Sequence, residues 1–353
     1  MYSVLEVTPR RTTCQSPERI PRSPVEPQND LANEVLSGRN DRMQHTLLRC
    51  FDASAIKVIE MVGVGKGAVV VKAKLSKHGL VAVKCIPITQ QVLEDRVGIR
   101  GDDFSLSLPS EILIHSLLRH ERIPQFIGIC LDRTEVLLIQ QLVATSALSE
   151  KPADLWSLMY QSKEELTLLD IIRFGIDIAS ALDYIHEEQC ICHCDITPKN
   201  ILINQEKNAF LADFGCARHI PNVSGSCAAS KLKGCTNYLA PEVIGTGSFS
   251  AKSDIYSFGT VLLEMLVGEM PWQGVSDCEI EYQMQVKKIN AFQHLGKDIL
   301  ERSFAARPCD CKGKESIFGL VGQLLAFEAR NRPSAKAIKT LLCTIEGQLS
   351  KPI

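Results

Sequence analysis

The chain has 353 residues, 45% hydrophobic and 23% charged, which is enough apolar mass for a large core and more than one subdomain. Its formal net charge of −2 gives no electrostatic case for binding nucleic acid or an anionic membrane surface. No apolar run approaches membrane-spanning length, residues 1–27 lack a signal-like apolar core, and the fourteen cysteines read as reduced thiols, so a soluble, cytoplasmic, monomeric protein is expected.

Residues 1–50 carry Pro9, Pro17, Pro21, Pro24 and Pro27 among arginines and few large apolar side chains. Such a tail cannot bury enough surface to fold. From residue 51 the pattern changes. Ile56, Val58, Ile59, Met61 and Val62 lead into Gly63-Val64-Gly65-Lys66-Gly67-Ala68-Val69-Val70. That stretch fits a strand, a glycine-rich turn and a second strand, whose backbone N–H groups can face phosphates. Gly67 at the tip and Ala68 at the third small position predict a mobile flap with less cover than usual. Val81-Ala82-Val83-Lys84 then sets a lysine in a buried strand, where an unpaired ammonium is costly. Glu111 is the candidate partner, and Pro109 just upstream predicts either a helix that starts there with Glu111 in its first turn or one that begins earlier and bends at Pro109. Residues 136–139 read as a buried strand, and Gln140, Gln141, Leu142 and Val143 as the link to the second half.

In that second half, Leu169, Ile172, Ile176, Ala179, Leu182 and Ile185 recur at helical spacing. His193-Cys194-Asp195-Ile196-Thr197-Pro198-Lys199-Asn200 follows, and then Asp213-Phe214-Gly215. The chemistry asks for these residue types in this order. One carboxylate, Asp195, meets an incoming hydroxyl, while the carbonyl of Asn200 and the carboxylate of Asp213 hold a metal against phosphates. Cys190, Cys192 and Cys194 flank His193, but this spacing lacks a second ligand pair for zinc. Cys309-Asp310-Cys311 reads as an exposed loop. Asp254, in Ser253-Asp254-Ile255-Tyr256-Ser257-Phe258-Gly259, is expected to accept N–H bonds from the His193 loop. Arg332 is expected to pair with Glu242 of Ala240-Pro241-Glu242.

With these motifs in hand, the chain resembles the eukaryotic protein kinase family from about residue 55 to 344. The resemblance implies an α+β, two-lobed fold, with a β-rich small lobe over residues 51–143 and a mainly helical large lobe over 144–353. It implies ATP and Mg2+ as cosubstrates and a protein hydroxyl as acceptor. Asp195, Lys84, Asn200 and Asp213 would be catalytic, with Asn200 and Asp213 as magnesium ligands. Gly63, Val64, Gly65, Lys66, Gly67, Ala68, Val69, Val70, Ala82, Lys84, Glu111, Gln141 and Val143 would line the nucleotide site, and Gln140 would gate the pocket behind adenine.

Departures from the family pattern narrow the reading. Cys194 replaces the arginine that receives an activation-segment phosphate, so activation through phosphorylated Ser224, Ser226 or Ser230 is not expected. Thr197 replaces a lysine that touches the γ-phosphate, and Cys235 replaces its hydroxyl neighbour; Lys199 is the candidate substitute. The missing arginine, Asp213-Phe214-Gly215-Cys216 and the long segment between Lys84 and Glu111 resemble the Mos proto-oncogene kinases. That resemblance implies a serine/threonine kinase acting on a MAP kinase kinase in oocyte meiosis. Raf-like and mixed-lineage kinases share the Asp-Ile-Tyr-Ser-Phe-Gly helix, and a pseudokinase scaffold is the reading from a different class.

Overall fold

The computed structural model describes residues 48–64, 68–87, 110–132, 135–143, 154–162, 165–220, 225–228, 235–296 and 311–349. The expected tail up to residue 47, together with Gly65, Lys66, Gly67 and Pro109, lies outside the described residues.

Five strands form an antiparallel sheet: β1 (Ile56–Val64), β2 (Val69–Leu75), β3 (Gly79–Pro87), β4 (Phe126–Leu131) and β5 (Glu135–Gln141), in the order β1-β2-β3-β5-β4. Side-chain alternation decides what each face holds. Val81 and Val83 of β3 turn to one face and pack with Ala73, Leu75, Cys130 and Ile139. Ile86 turns to the other face, where Ile129, Val136 and Leu138 meet Ile112 of helix α1 (Ser110–Leu117). Lys84 has the parity of Ile86, so its side chain projects towards α1. The described helix runs from Ser110 with Glu111 in its first turn, while Pro109 and the residues before it lie outside the described residues. Ile114 and Leu118 belong instead to the core of the second lobe. This short helix therefore contributes to two cores.

The second lobe is mainly helical: α2 (Leu155–Tyr160), α3 (Leu168–Asp183), α4 (Pro241–Thr246), α5 (Ala251–Val267), α6 (Asp277–Tyr282), α7 (Cys311–Leu324) and α8 (Ala335–Leu349). Among the described residues, three two-stranded sheets sit between them: β6 (Ile191–Cys192) with β9 (Arg218–His219), β7 (Ile201–Ile203) with β8 (Ala209–Leu211), and β10 (Ser226–Ala228) with β11 (Ser248–Ser250). The α3 stripe is wider than its sequence spacing suggests. Leu169 and Ile176 are half-buried, while Ile171, Phe174 and Ile178 are fully buried, because the helix packs on more than one side. The architecture is the expected α+β arrangement of two lobes. Among the described residues, no helix is long and apolar enough to cross a membrane.

Two boundaries differ from expectation. Leu48, Arg49 and Cys50, expected in the tail, run beside β4. Ile129 N–H donates to the Arg49 carbonyl and Phe51 N–H to the Ile129 carbonyl, each at 2.8 Å, and Leu48 packs on the sheet core. One apolar anchor and backbone pairing with β4 outweigh the polar composition around them. Cys311, expected in a loop, opens helix α7.

Glu264 of α5 ties three pieces of the large lobe together. It accepts hydrogen bonds from Tyr160 of α2 at 2.8 Å and from Tyr238 at 2.7 Å. Burial pushes its carboxyl up to about 7, against the pull of the two tyrosine hydrogen bonds.

Gly128 tests the packing of the leading segment. A Cβ there would lie 2.5 Å from both the Arg49 carbonyl oxygen and the Phe51 ring. Gly128→Ala is expected to displace residues 49–51 and lower stability by about 1–3 kcal/mol in urea unfolding.

Glu264 gives a pH test. Its native pKa lies above that of an ordinary glutamate, so the unfolded state loses the proton first, and stability falls as pH rises from 4.5 to about 7. Glu264→Gln carries no such proton. The stability difference between wild type and this variant is expected to drift against wild type over that window, by on the order of 3 kcal/mol. Denaturant midpoints at several pH values measure it, and a pH-independent difference would refute the assignment.

Candidate active site

Strand register assembles one wall of the site. Val70 of β2, Lys84 of β3 and Leu138 of β5 lie in one row, and Lys72, Ala82 and Gln140 in the next. Gly63 and Val64 pair with Val70 and Val69 at the end of the β1–β2 hairpin, with Ala68 just beyond. Ala82 and Val143 are buried, whereas Gln141 is exposed. The Gln141 backbone N–H donates to the Gln125 carbonyl at 2.8 Å, which pins the strand end where the chain leaves the sheet.

Lys84 sits between two carboxylates. Its Nζ donates to Glu111 Oε1 at 2.6 Å and to Asp213 Oδ1 at 2.7 Å. Burial alone would depress the ammonium pKa, but Glu111 and Asp213 outweigh it and hold the group charged. Burial also opposes ionisation of Asp213, yet Lys84 and the Gly215 N–H keep its carboxyl below the usual range. Glycine at 215 leaves room for both carboxylates: a Cβ would stand 3.0 Å from Asp213 Oδ1 and 3.2 Å from Glu111 Oε2, and they would have to give way by a few tenths of an ångström. Asp213 itself adopts φ 65°. Phe214 then turns inward, buried between the rings of His193 and His115 at centroid distances of 5.0 and 5.5 Å.

The loop carrying Asp195 is shaped from beneath. Asp254 in the first turn of α5 accepts the N–H groups of His193 at 2.7 Å and Cys194 at 2.9 Å, and a third bond from His186 Nε2 at 2.9 Å. Burial works against its charge, but the His186 hydrogen bond and the loop N–H groups hold its carboxyl below the usual range. These bonds offset the strain of Cys194, which sits at φ 66° without being glycine. His193 Nδ1 accepts the Asp195 N–H at 3.3 Å, so Nε2 carries the proton and donates to the Ala212 carbonyl at 3.1 Å. Asn200 Nδ2 donates to the backbone carbonyl of Asp195 at 2.7 Å and to its Oδ2 at 3.0 Å. The amide nitrogen is thereby committed, and the Asn200 oxygen is the end suited to a cation. Together with Asp213 this donor set fits magnesium, which is usually held by one or two protein oxygens plus phosphates rather than by an all-protein cage.

Arg332 uses every donor of its guanidinium. It makes a two-pronged pair with Glu242 at 2.6 and 2.8 Å, and reaches the carbonyls of Ala326, Lys252 and Phe327. The Lys199 ammonium lies 4.9 Å from the centroid of the Trp156 ring.

Three contributors escaped sequence reasoning. His186 braces Asp254. His115 donates from Nε2 to the Pro124 carbonyl at 2.7 Å and stays neutral, because burial lowers its pKa to about 4. Its position four residues after Glu111, on the same helical face, was the available signal. Trp156 sets its ring beside the Lys199 ammonium, a contact that no spacing rule announces.

Residues 56–341 match the family described as protein kinase domain. Relatives in Arabidopsis thaliana include L-type lectin-domain containing receptor kinase IX.2, 42% identical over 45% of this chain and 23% of that protein. Calcium/calmodulin-regulated receptor-like kinase 1 is 26% identical over 81% of this chain and 60% of that protein. Probable serine/threonine-protein kinase PBL24 is 28% identical over 83% and 72%. The chain thus spans 23% of the first of these relatives and 60% of the second. With the family match covering both lobes and the Lys84, Asp195 and Asp213 constellation assembled between them, this chain belongs to the protein kinase family.

Proposed function

We propose that the chain is a serine/threonine protein kinase that transfers the γ-phosphoryl group of ATP to a protein hydroxyl. The observation that carries this reading is the Lys84–Glu111 pair at 2.6 Å, made while Phe214 is packed inward and Asn200 holds Asp195. Asp195 would accept the proton of the incoming hydroxyl as its oxygen bonds to phosphorus and the bond to the ADP oxygen breaks. Lys84, kept charged by its two carboxylates, would anchor the phosphates, and the hairpin N–H groups from Gly63 to Val70 would cover them. Magnesium held by Asn200 and Asp213 would supply neutralisation of phosphate charge.

The finer assignment, a Mos-like enzyme acting on a MAP kinase kinase, rests on Cys194 and the other residues of the resemblance. The relatives above are plant receptor-like and PBL kinases and lend no support to a role in oocyte meiosis. A MAP kinase kinase is therefore one acceptor to assay beside generic protein substrates. A non-catalytic scaffold draws on Thr197 and on Lys199, whose ammonium lies over Trp156.

Phosphate incorporation from ATP and magnesium by the purified full chain separates these readings. Wild type is expected to transfer phosphate, Asp195→Asn to lose it by about a hundredfold or more, and Lys84→Arg to fall below about a tenth, because a planar fork cannot replace a point charge between Glu111 and the phosphates. Thermal unfolding confirms that both variants fold. Equal incorporation by wild type and Asp195→Asn would sink the catalytic reading.

A further inference from the structure

The loop that carries Asp195 also carries an exposed cation that the phosphate site does not use. Lys199 stands between Pro198 and Asn200 in one tight helical turn. Asn200, the next residue, donates to Asp195 Oδ2 at 3.0 Å. Lys84 is committed to Glu111 and Asp213. The Lys199 ammonium, by contrast, makes no ion pair among the described residues and lies 4.9 Å from the centroid of the Trp156 ring.

That ring is braced from behind. Trp156 packs on Tyr160 at a centroid distance of 5.6 Å, and the Tyr160 hydroxyl donates to the buried Glu264 at 2.8 Å. Asp154 caps α2 by accepting the Ser157 N–H at 2.9 Å, and its backbone bridges to Leu202, two residues past Asn200. The helix that carries the ring is therefore tied to the loop that carries the lysine. An aromatic face holds an ammonium in place without neutralising it. The cation is thus ordered before any ligand arrives, which lowers the cost of recruiting it.

We propose that Lys199, held over Trp156, determines acceptor specificity by selecting proteins with an aspartate or glutamate two or three residues from the phosphorylated hydroxyl. The inference deepens the kinase reading and rests on it. An acidic acceptor approaching the site meets Asp195, Asp213 and the phosphates of ATP, and Thr197 brings no charge to offset them. Like charges brought together in this way disfavour the complex unless a cation lies on the path. Lys199 supplies one. Successive α-carbons lie about 3.8 Å apart, which puts the Lys199 ammonium on the order of 10 Å from the Asp195 carboxylate. An extended chain covers that span in about three residues.

Serine peptides of otherwise neutral sequence, each with one glutamate, glutamine or lysine placed up to four residues either side of the serine, test this with the full chain. Wild type is expected to favour glutamate over glutamine by about fivefold in kcat/KM at a position two or three residues from the serine, through KM. Lys199→Glu is expected to favour lysine at that same position, and Lys199→Ala to erase the preference. Trp156→Ala, which frees the ammonium, should weaken it. Thermal unfolding checks that each variant folds. Fluorescence anisotropy of the same labelled peptides on Asp195→Asn reads the preference without phosphate transfer. Silent chemistry with the glutamate preference intact in binding would count against the kinase reading alone. No glutamate preference in either readout, one that survives Lys199→Glu, or an equal fall in kcat for every peptide in Lys199→Ala would overturn the inference, the last by making Lys199 a phosphate contact.

Discussion

The carboxylate of Asp254 is completely buried, and the loop that presents Asp195 has its shape because of it. A buried charge survives only when its oxygens are satisfied. Here the partners are the N–H groups of His193 and Cys194 and the ring of His186. Two consecutive N–H groups aimed at one carboxylate force the turn that sets Cys194 at a positive φ. That turn points Asp195 towards Asn200, while the His193 ring packs against Phe214. The site is thus built from α5 upward: remove the charge at 254, and three strained or polar groups lose their common support.

The ion pairs have a different purpose from the apolar cores. Buried pairs add little net stability, since desolvation cancels much of the Coulombic gain. What Lys84, Glu111 and Asp213 provide is position: the β3 strand, helix α1 and the loop after β8 meet at one ammonium. Arg332 does the same at the far end of the large lobe. All its donors are met, so it specifies how the chain near Glu242 sits against the turn before α8.

Much of this was legible in the sequence because it follows from periodicity and fixed motif spacing. The cost of an unpaired ammonium in the Val81–Lys84 strand pointed to Glu111 as its partner. The Asp254 and Arg332–Glu242 contacts followed from the family motifs. What stayed hidden depends on tertiary approach. Leu48 to Phe51 fold only because Gly128 leaves room beside β4. His115 and His186 look like ordinary helix residues until Phe214 and Asp254 arrive next to them.

Helix α1 has a consequence of its own. It is eight residues long, with Ile112 in the sheet core and Ile114 in the helical core. Moving Glu111 away from Lys84 would therefore uncover apolar surface on two sides at once. Exposure of apolar surface carries a positive heat capacity, and the force that opposes it weakens on cooling. The equilibrium between engaged and displaced helix is thus a thermal property of the fold, with cold favouring release of the ion pair even though no charge has changed.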